Sequence, residues 1–182
     1  MDVMTAILTR RSEQKLAGPA PSPEEFRYLL KAASCAPDHG MLRPWRWLLM
    51  SGDARDALAA ALAEDNGKSI EAMRAKTRRA PLLATLVFSP DPVSPVPEWE
   101  QMAAVSAMAT SLMLLLHARG FGSIWRTGAQ LDAEPVRKLL DLDQPERALG
   151  WLYIGTVEPG RPTRRRQAPD VGDRLKIFSA PY

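Results

Sequence analysis

A long apolar segment in the middle of the chain limits how the rest can fold. Residues 98–119 follow a proline-rich loop at 89–97 and precede Gly120, which predicts a helix with a glycine at its C-terminal end. Residues 102–116 are apolar nearly all round, so we expect this helix to be buried on every side. In a chain of 182 residues it predicts one domain built around a central helix, with a subunit interface as well as a core.

A membrane span is the rival interpretation of this segment. The apolar run is shorter than the roughly 18 residues that a span needs, and Ser106, Thr110 and Ser111 interrupt it. The N-terminus has no basic region followed by an apolar one, so we expect no signal peptide. The single cysteine, Cys35, excludes an intrachain disulfide, and a cytoplasmic location is expected.

Apolar periodicity and cap residues predict the remaining elements. Ser22, Pro23 and Glu25 form a helix start with a capping box, and the continuous apolar run at 82–88 is typical of a central strand. The predicted helices are 2–9, 22–35, 53–63, 68–79, 98–119 and 132–140. The predicted strands are 45–50, 82–88, 121–125 and 148–156. This order predicts an α+β sandwich of helices around a small mixed β-sheet.

Composition disfavours metal and nucleic-acid chemistry. The only histidines are His39 and His117, and no Cys or His residues cluster at ligand spacing, so no metal site is expected. The net charge is +3, and most basic residues are arginine, which suits planar anions but also follows from a GC-rich genome. The basic tail lacks neighbouring aromatic residues for stacking, so nucleic-acid binding ranks last.

Three patches, far apart in the sequence, carry groups that suit different parts of one nucleotide ligand. Arg10, Arg11 and Ser12 offer guanidinium groups and a hydroxyl for a phosphate dianion, or serve only to complement a helix dipole. Residues 36–39 lie between a helix end and a strand, where backbone can approach a ligand. Residues 122–128 offer glycine-bracketed backbone that suits a flat heteroaromatic ring.

Together these patches resemble the nitroreductase family of FMN-dependent oxidoreductases. The matching motifs are Arg10-Arg11-Ser12, Ala36-Pro37-Asp38-His39, Pro44-Trp45, Trp99-Glu100, Gly120-Phe121-Gly122 and Ile124-Trp125-Arg126. The resemblance covers residues 1 to about 157. It implies FMN bound at a homodimer interface, and NAD(P)H as the reductant of nitroaromatic, quinone or related acceptors in a ping-pong cycle.

The resemblance also implies which residues contact the cofactors. FMN contacts are expected from Arg10, Arg11, Ser12, Cys35, His39, Trp125, Arg126, Thr127 and Gly128. Contacts with the nicotinamide nucleotide are implied more weakly for Leu115, Leu116, His117, Ala118, Arg119 and Gly120. No catalytic side chain is expected because the flavin N5 carries the chemistry. Instead of contacting the flavin, Trp125 could be a core residue, and His39 could make a structural hydrogen bond.

The sequence departs from the family pattern near the second patch and in the tail. Cys35 stands where close relatives carry an arginine, and Met41 and Arg43 replace an Asn and a Gln that contact the flavin. Residues 158–182 are expected to cross to the partner subunit, where Arg161, Arg164, Arg165 and Arg166 either reach the phosphate or remain solvated. A non-catalytic flavin or nucleotide binder is therefore the alternative to an enzyme.

Overall fold

The structure, a computed structural model, describes residues 1–158 and 165–178. Within these ranges the chain forms six α-helices and five β-strands. The helices are α1 (Val3–Thr9), α2 (Pro23–Ala33), α3 (Asp53–Asn66), α4 (Ile70–Thr77), α5 (Glu98–Ala118) and α6 (Glu134–Leu139). The strands are β1 (Leu16–Ala17), β2 (Trp45–Met50), β3 (Leu82–Phe88), β4 (Phe121–Arg126) and β5 (Arg147–Val157).

The strands form one sheet in which β5 is the shared partner. One edge of β5 pairs with β4, while its other edge pairs with β3 and then with β1. Strand β2 pairs with β3 on the side away from β5 and forms one edge of the sheet. These strand pairings are all antiparallel, and a parallel bridge joins Ser12 to Ser123. The predicted α+β class is confirmed. A mixed sheet was predicted, but among the described residues the parallel pairing consists of this bridge alone.

Helices cover both faces of the sheet, as in the predicted sandwich. On one face, Phe26 and Leu29 of α2 pack with Met108 and Leu112 of α5 against the apolar side of β3. On the other face, α3, α4 and α6 form a second core over the opposite side of the same strands. Every residue of β3 is buried, which confirms its predicted central position.

Helix α5 is buried on one side only, and the prediction of burial on every side is wrong. Its inward stripe includes Val105, Met108, Leu112 and Leu116, each at most 1% exposed. Its outward stripe of small residues, including Ala103, Ser106 and Thr110, is exposed in the single chain. By length and composition α5 could also cross a membrane, but core helices share these properties.

The other differences from the predicted elements arise where local signals are weak. Helix α3 continues to Asn66 and ends at Gly67, which adopts a left-handed conformation and caps it. The last predicted helix, 132–140, begins only at Glu134, because a 3-10 turn at Ala129–Asp132 precedes it. Strand β1 has only two residues and was not predicted, because its pairing partners lie at the far end of β5.

The indole ring of Trp125 packs against a β-bulge in β5. The register between β3 and β5 shifts at Leu86/Val87, and the indole N–H of Trp125 donates to the carbonyl of Leu149 at 3.2 Å. A Cβ at Gly150 would lie 2.1 Å from the indole nitrogen, and the φ of Gly150 is +149°. Only glycine allows this close crossing of the ring over the strand.

Candidate functional site

The first and third patches meet at the outer edge of β4. Ser12 bridges to Ser123, and the backbone N–H of Glu13 donates to the carbonyl of Ser123 at 3.0 Å. A cleft of about 490 Å³ opens beside them, lined by Ser12, Gln14, Lys15, Val157 and Glu158. The hydroxyl of Ser12 therefore stands at a polar cleft next to the strand that carries residues 122–126.

Arg10 follows α1 and lies beside a second arginine from the tail. The backbone N–H of Arg166 donates to the carbonyl of Leu8 at 2.8 Å, and its guanidinium donates to the carbonyl of Arg10. Burial, and then the charge of Arg166, lower the pKa of Arg10, while Glu13 opposes them. Within residues 1–158 and 165–178, no ion pair includes Arg10 or Arg166. We call Arg10 and Arg166 the arginine pair; Arg161 and Arg164 lie outside the described residues.

His117 fixes the end of α1 just before Arg10. The Thr9 hydroxyl lies 2.6 Å from the Thr5 carbonyl and donates to it, so it accepts from Nε2 of His117 at 2.8 Å. Burial, and then the charge of Arg10, lower the pKa of His117. A neutral imidazole with its proton on Nε2 fits both contacts. The family resemblance weakly implied a nucleotide contact for His117. The sequence did not indicate the contact with Thr9, because the two residues are distant in the sequence.

The second patch forms a tight loop organised by Asp38. Its carboxylate accepts the backbone N–H groups of Leu42 at 3.2 Å and Arg43 at 2.8 Å. Gly40, Met41 and Arg43 have positive φ angles of 75°, 52° and 48°. Asp38 therefore stabilises a left-handed loop geometry, a structural role that its place in the motif did not reveal.

His39 and Cys35 are both accessible at this end of the molecule. Nδ1 of His39 lies 2.7 Å from a carboxylate oxygen of Glu100, and the His39 side chain is 68% exposed. Cys35 is an exposed free thiol just beyond α2. A surface cavity of about 370 Å³ includes Pro37, Asp38, His39, Trp99 and Glu100 in its lining. Both residues are thus available to a ligand, and His39 carries a carboxylate partner.

Within one chain, the first and second patches lie at opposite ends of α5. His39 contacts Glu100 in the first turn of that helix, whereas Thr9 contacts His117 in its last turn. At 1.5 Å per residue, these two helix positions are roughly 26 Å apart. The structure therefore brings together the first and third patches but leaves the second one separate.

The third patch directs its side chains to the two faces of β4. Trp125 packs against the core that includes α2 and α5, so its alternative assignment as a core residue is supported. Ile124 packs against the opposite core, and the Arg126 guanidinium lies 5.9 Å from the ring of Tyr153. Thr127 and Gly128 are exposed just beyond the strand. The Arg126 side chain therefore points to the Tyr153 side of the sheet.

The segment from Leu115 to Gly120 offers little to a nicotinamide nucleotide. Leu116 is 0% exposed in the core, so its side chain is not accessible in the single chain. His117 is bonded to Thr9, and the guanidinium of Arg119 stacks 5.6 Å from the ring of Tyr28. Leu115 is half-buried, while Ala118 and Gly120 are exposed at the helix end.

The chain is thus an α+β sandwich with a polar cleft at the edge of β4. The model of the Nitroreductase family matches residues 7–156, and the chain belongs to this family. It is 33% identical over 164 residues to "Putative NAD(P)H nitroreductase YdjA" of Escherichia coli (strain K12), covering 87% of this chain and 90% of that protein. A relative from Haemophilus influenzae, "Putative NAD(P)H nitroreductase", is 32% identical, covering 86% and 89%.

Solved structures share this fold over nearly the whole chain. A nitroreductase-like family protein from Bacillus cereus superposes with a TM-score of 0.85 at 23% identity, covering 99% of this chain and 97% of that one. The FMN and NADPH-dependent nitroreductase NfnB from sphigopyxis sp. strain HMH gives a TM-score of 0.73 at 19% identity, covering 99% and 100%. These similarities confirm the predicted nitroreductase-like fold.

Proposed function

We propose that this protein is an FMN-dependent oxidoreductase that uses NAD(P)H to reduce small electrophilic acceptors, with nitroaromatics and quinones as the expected classes. The arginine pair carries the proposal. The Arg166 guanidinium donates to the carbonyl of Arg10, burial and then the charge of Arg166 lower the pKa of Arg10, and neither residue has an ion-pair partner among the residues described. A phosphate dianion beside them would remove this repulsion and accept charge-assisted hydrogen bonds.

The residues present fit a flavin mononucleotide at the edge of β4. Arg10, Arg11 and Ser12 would hold the phosphate, with Arg166 in support, and the cleft beside Ser12 gives access. The exposed backbone of Thr127 and Gly128 is available for the ring. When bound, FMN supplies hydride chemistry at N5, and the protein supplies position and electrostatics. His39 contributes binding rather than acid–base chemistry in this proposal.

A second copy of the chain would complete the site. His39 contacts Glu100, which lies roughly 26 Å along α5 from His117 beside Thr9, so His39 and Arg10 of one chain are too far apart to share a single flavin. A homodimer in which the second patch of one protomer faces the first patch of the other would unite them. The exposed outer stripe of α5, with Ala103, Ser106 and Thr110, is available for that contact.

An absorption spectrum and a turnover assay test the proposal. Purified protein should be yellow with flavin bands, or become so after FMN is added and the excess removed. It should then oxidise NADH or NADPH only when a quinone or nitroaromatic is present. Initial rates at several acceptor concentrations should give parallel double-reciprocal lines, because the two substrates would use the same site in turn.

The same assay separates an enzyme from a non-catalytic binder. Met41 and Arg43 replace the amide side chains expected from the family, so the loop held by Asp38 lacks two flavin contacts. FMN retention without NAD(P)H oxidation, with either nucleotide and any acceptor, would favour the binder. Intersecting double-reciprocal lines would contradict the ping-pong order while leaving the oxidoreductase assignment intact.

A further inference from the structure

His117 is a half-buried titratable residue that the proposed flavin chemistry does not use. It lies in the last turn of α5, and its Nε2 is 2.8 Å from the hydroxyl oxygen of Thr9. Thr9 is the last residue of α1, is 7% exposed, and directly precedes Arg10. A single side-chain hydrogen bond therefore connects a 21-residue core helix to the residue next to the proposed phosphate contact.

The geometry of this bond determines where His117 carries its proton. The Thr9 hydroxyl has one hydrogen, and it donates that hydrogen to the Thr5 carbonyl at 2.6 Å. The hydroxyl oxygen must then accept from His117, so Nε2 carries the proton of the neutral ring. Nδ1 is the site for a second proton. Protonation of Nδ1 adds a positive charge to His117 without breaking its contact with Thr9.

The charged groups that face His117 come from the segment after α1 and from the tail. Burial, and then the charge of Arg10, lower the pKa of His117, while the charge of Glu13 raises it. Arg166 adds a further positive charge beside Arg10, because its guanidinium donates to the Arg10 carbonyl. The C-terminal end of α5 favours a cation through the helix dipole. Of these influences, the charge of Arg10 is the one that a bound anion would cancel.

We propose that His117 is a positioning residue for the FMN phosphate, and that the bound phosphate in turn draws a second proton onto Nδ1 of His117. This inference rests on the proposed function, because it places the phosphate at Arg10. The bond to Thr9 holds the end of α1, and with it Arg10, in the orientation that the phosphate requires. A dianion beside Arg10 offsets the charge that disfavours the imidazolium form. FMN binding should therefore take up a proton from solvent.

The alternative is a purely structural contact that only stabilises α1. Riboflavin separates the two roles, because it carries the same ring system as FMN but no phosphate. A positioning residue that acts through Arg10 affects the phosphate alone, so its loss should weaken FMN binding and leave riboflavin binding unchanged. Loss of a purely structural contact should weaken the binding of both flavins.

Fluorescence titration of the apoprotein with FMN and with riboflavin tests the positioning role. His117→Phe and Thr9→Val should each weaken FMN binding roughly three- to tenfold. The double variant should bind FMN no more weakly than either single one, because both changes remove the same hydrogen bond. Thr77→Val is the matched control: Thr77 ends α4, its hydroxyl donates back to the Arg74 carbonyl at 3.3 Å, and its loss should leave FMN affinity unchanged. Equal weakening of both flavins, or unchanged FMN affinity in either folded single variant, would overturn the proposal.

NMR titration of the histidine rings tests the coupled proton. The chain has two histidines, so the signal that His117→Phe removes belongs to His117. Saturation with FMN should raise the pKa of His117 relative to the apoprotein, whereas riboflavin should leave it unchanged. A pKa that FMN does not move would also overturn the proposal. A parent protein that binds no FMN would contradict the proposed function and this inference together, whereas failure of the variants alone would contradict only the inference.

Discussion

Arg10 and Cys35 illustrate how single residues are expected to set the affinity for FMN. Arg10 is partly buried and lies beside the positive charge of Arg166. The hydrogen bond between Thr9 and His117 fixes the end of α1 just before Arg10. Cys35 is an exposed thiol at the end of α2, where an arginine would add a positive charge. We expect Arg10 to contact the FMN phosphate, and we expect Cys35 to lack the contact that an arginine at this position would make.

Replacing Arg10 by Ala should weaken FMN binding by roughly ten- to hundredfold, because a charge-assisted hydrogen bond contributes about 1.5–3 kcal/mol. Fluorescence titration of the apoprotein with FMN measures the change. Arg27→Ala, which removes an exposed arginine of α2, is the control and should bind FMN as the parent does. Unchanged affinity in Arg10→Ala would transfer the phosphate contact to Arg166 and the rest of the tail.

Cys35→Arg should raise the affinity for FMN, because it restores a positive charge at an exposed position that faces the flavin in relatives. Cys35→Met supplies a long side chain without the charge and serves as the control. The same fluorescence titration compares the two variants with the parent. Equal FMN affinity in all three folded proteins would mean that other arginines already fill this role.

At the scale of elements, a salt bridge joins the outer strand β2 to the turn before β5. Arg46 on β2 contacts the carboxylate of Glu146 at 2.8 and 2.6 Å, and also the carbonyl of Asp141 at 2.8 Å. These contacts, with a further one from Ser89, lower the pKa of Glu146 to about 2. Since Glu146 is only 15% exposed, this pair should stabilise the fold more than a surface ion pair would.

The folded pKa of Glu146, about 2, lies below its ordinary value of 4.5, so its stabilising effect is complete above about pH 4.5. The effect is lost as the pH falls from there towards 2. Glu146→Gln should lower the free energy of unfolding by about 2 kcal/mol at neutral pH, and by much less near pH 3. Urea denaturation at the two pH values measures both differences.

Glu98→Gln is the control for that experiment. Glu98 pairs with Arg147, but both side chains are largely exposed, so its loss should change stability little at either pH. If Glu146→Gln were equally neutral, the link between β2 and β5 would contribute nothing measurable to the fold.

The elements were predictable from sequence where their signals are local. The capping box at Ser22, the prolines before α5 and the apolar run of β3 set boundaries that the structure reproduces within a few residues. The contacts that shape the site were not predictable in this way. Arg166 beside Arg10, and His117 beside Thr9, join residues more than a hundred positions apart. No local periodicity reports such a pairing.

Burial of α5 was overestimated because composition records apolarity and not which neighbours are present. Ala103, for example, is apolar by composition, yet it is exposed and forms part of the outer stripe of α5 that the single chain leaves uncovered. The site residues of the three patches came from a family resemblance combined with residue chemistry. Which patches meet within one chain followed only from the fold.

For the whole molecule, the uncovered surfaces indicate association. Besides the outer stripe of α5, large apolar side chains are exposed on α1 and in the tail. These are Val3, Met4, Ile7, Leu175, Ile177 and Phe178. Apolar surface of this extent in one small chain is typical of an interface between subunits. We propose a homodimer, in which the tail of each chain is shared with its partner.

Sedimentation should detect this dimer at micromolar concentration, with a total buried area above the standard of about 1,600 Å². Thr110→Arg places a charge in the outer stripe of α5, and should yield a monomer that also loses FMN. Ala60→Arg, at an exposed position of α3, is the control and should remain dimeric. A parent protein that is monomeric yet retains FMN would contradict the proposal.

The anchoring of α1 has a consequence for motion. A helix of seven residues is not stable in isolation, so α1 depends on the His117 contact with Thr9 and on the Arg166 contact with Leu8. Local opening there should cost far less than global unfolding, and its amide hydrogens should exchange early. FMN bound at Arg10 would hold the segment closed. Slower hydrogen exchange across Val3–Thr9, with α3 unchanged, would be the dynamic signature of an occupied site.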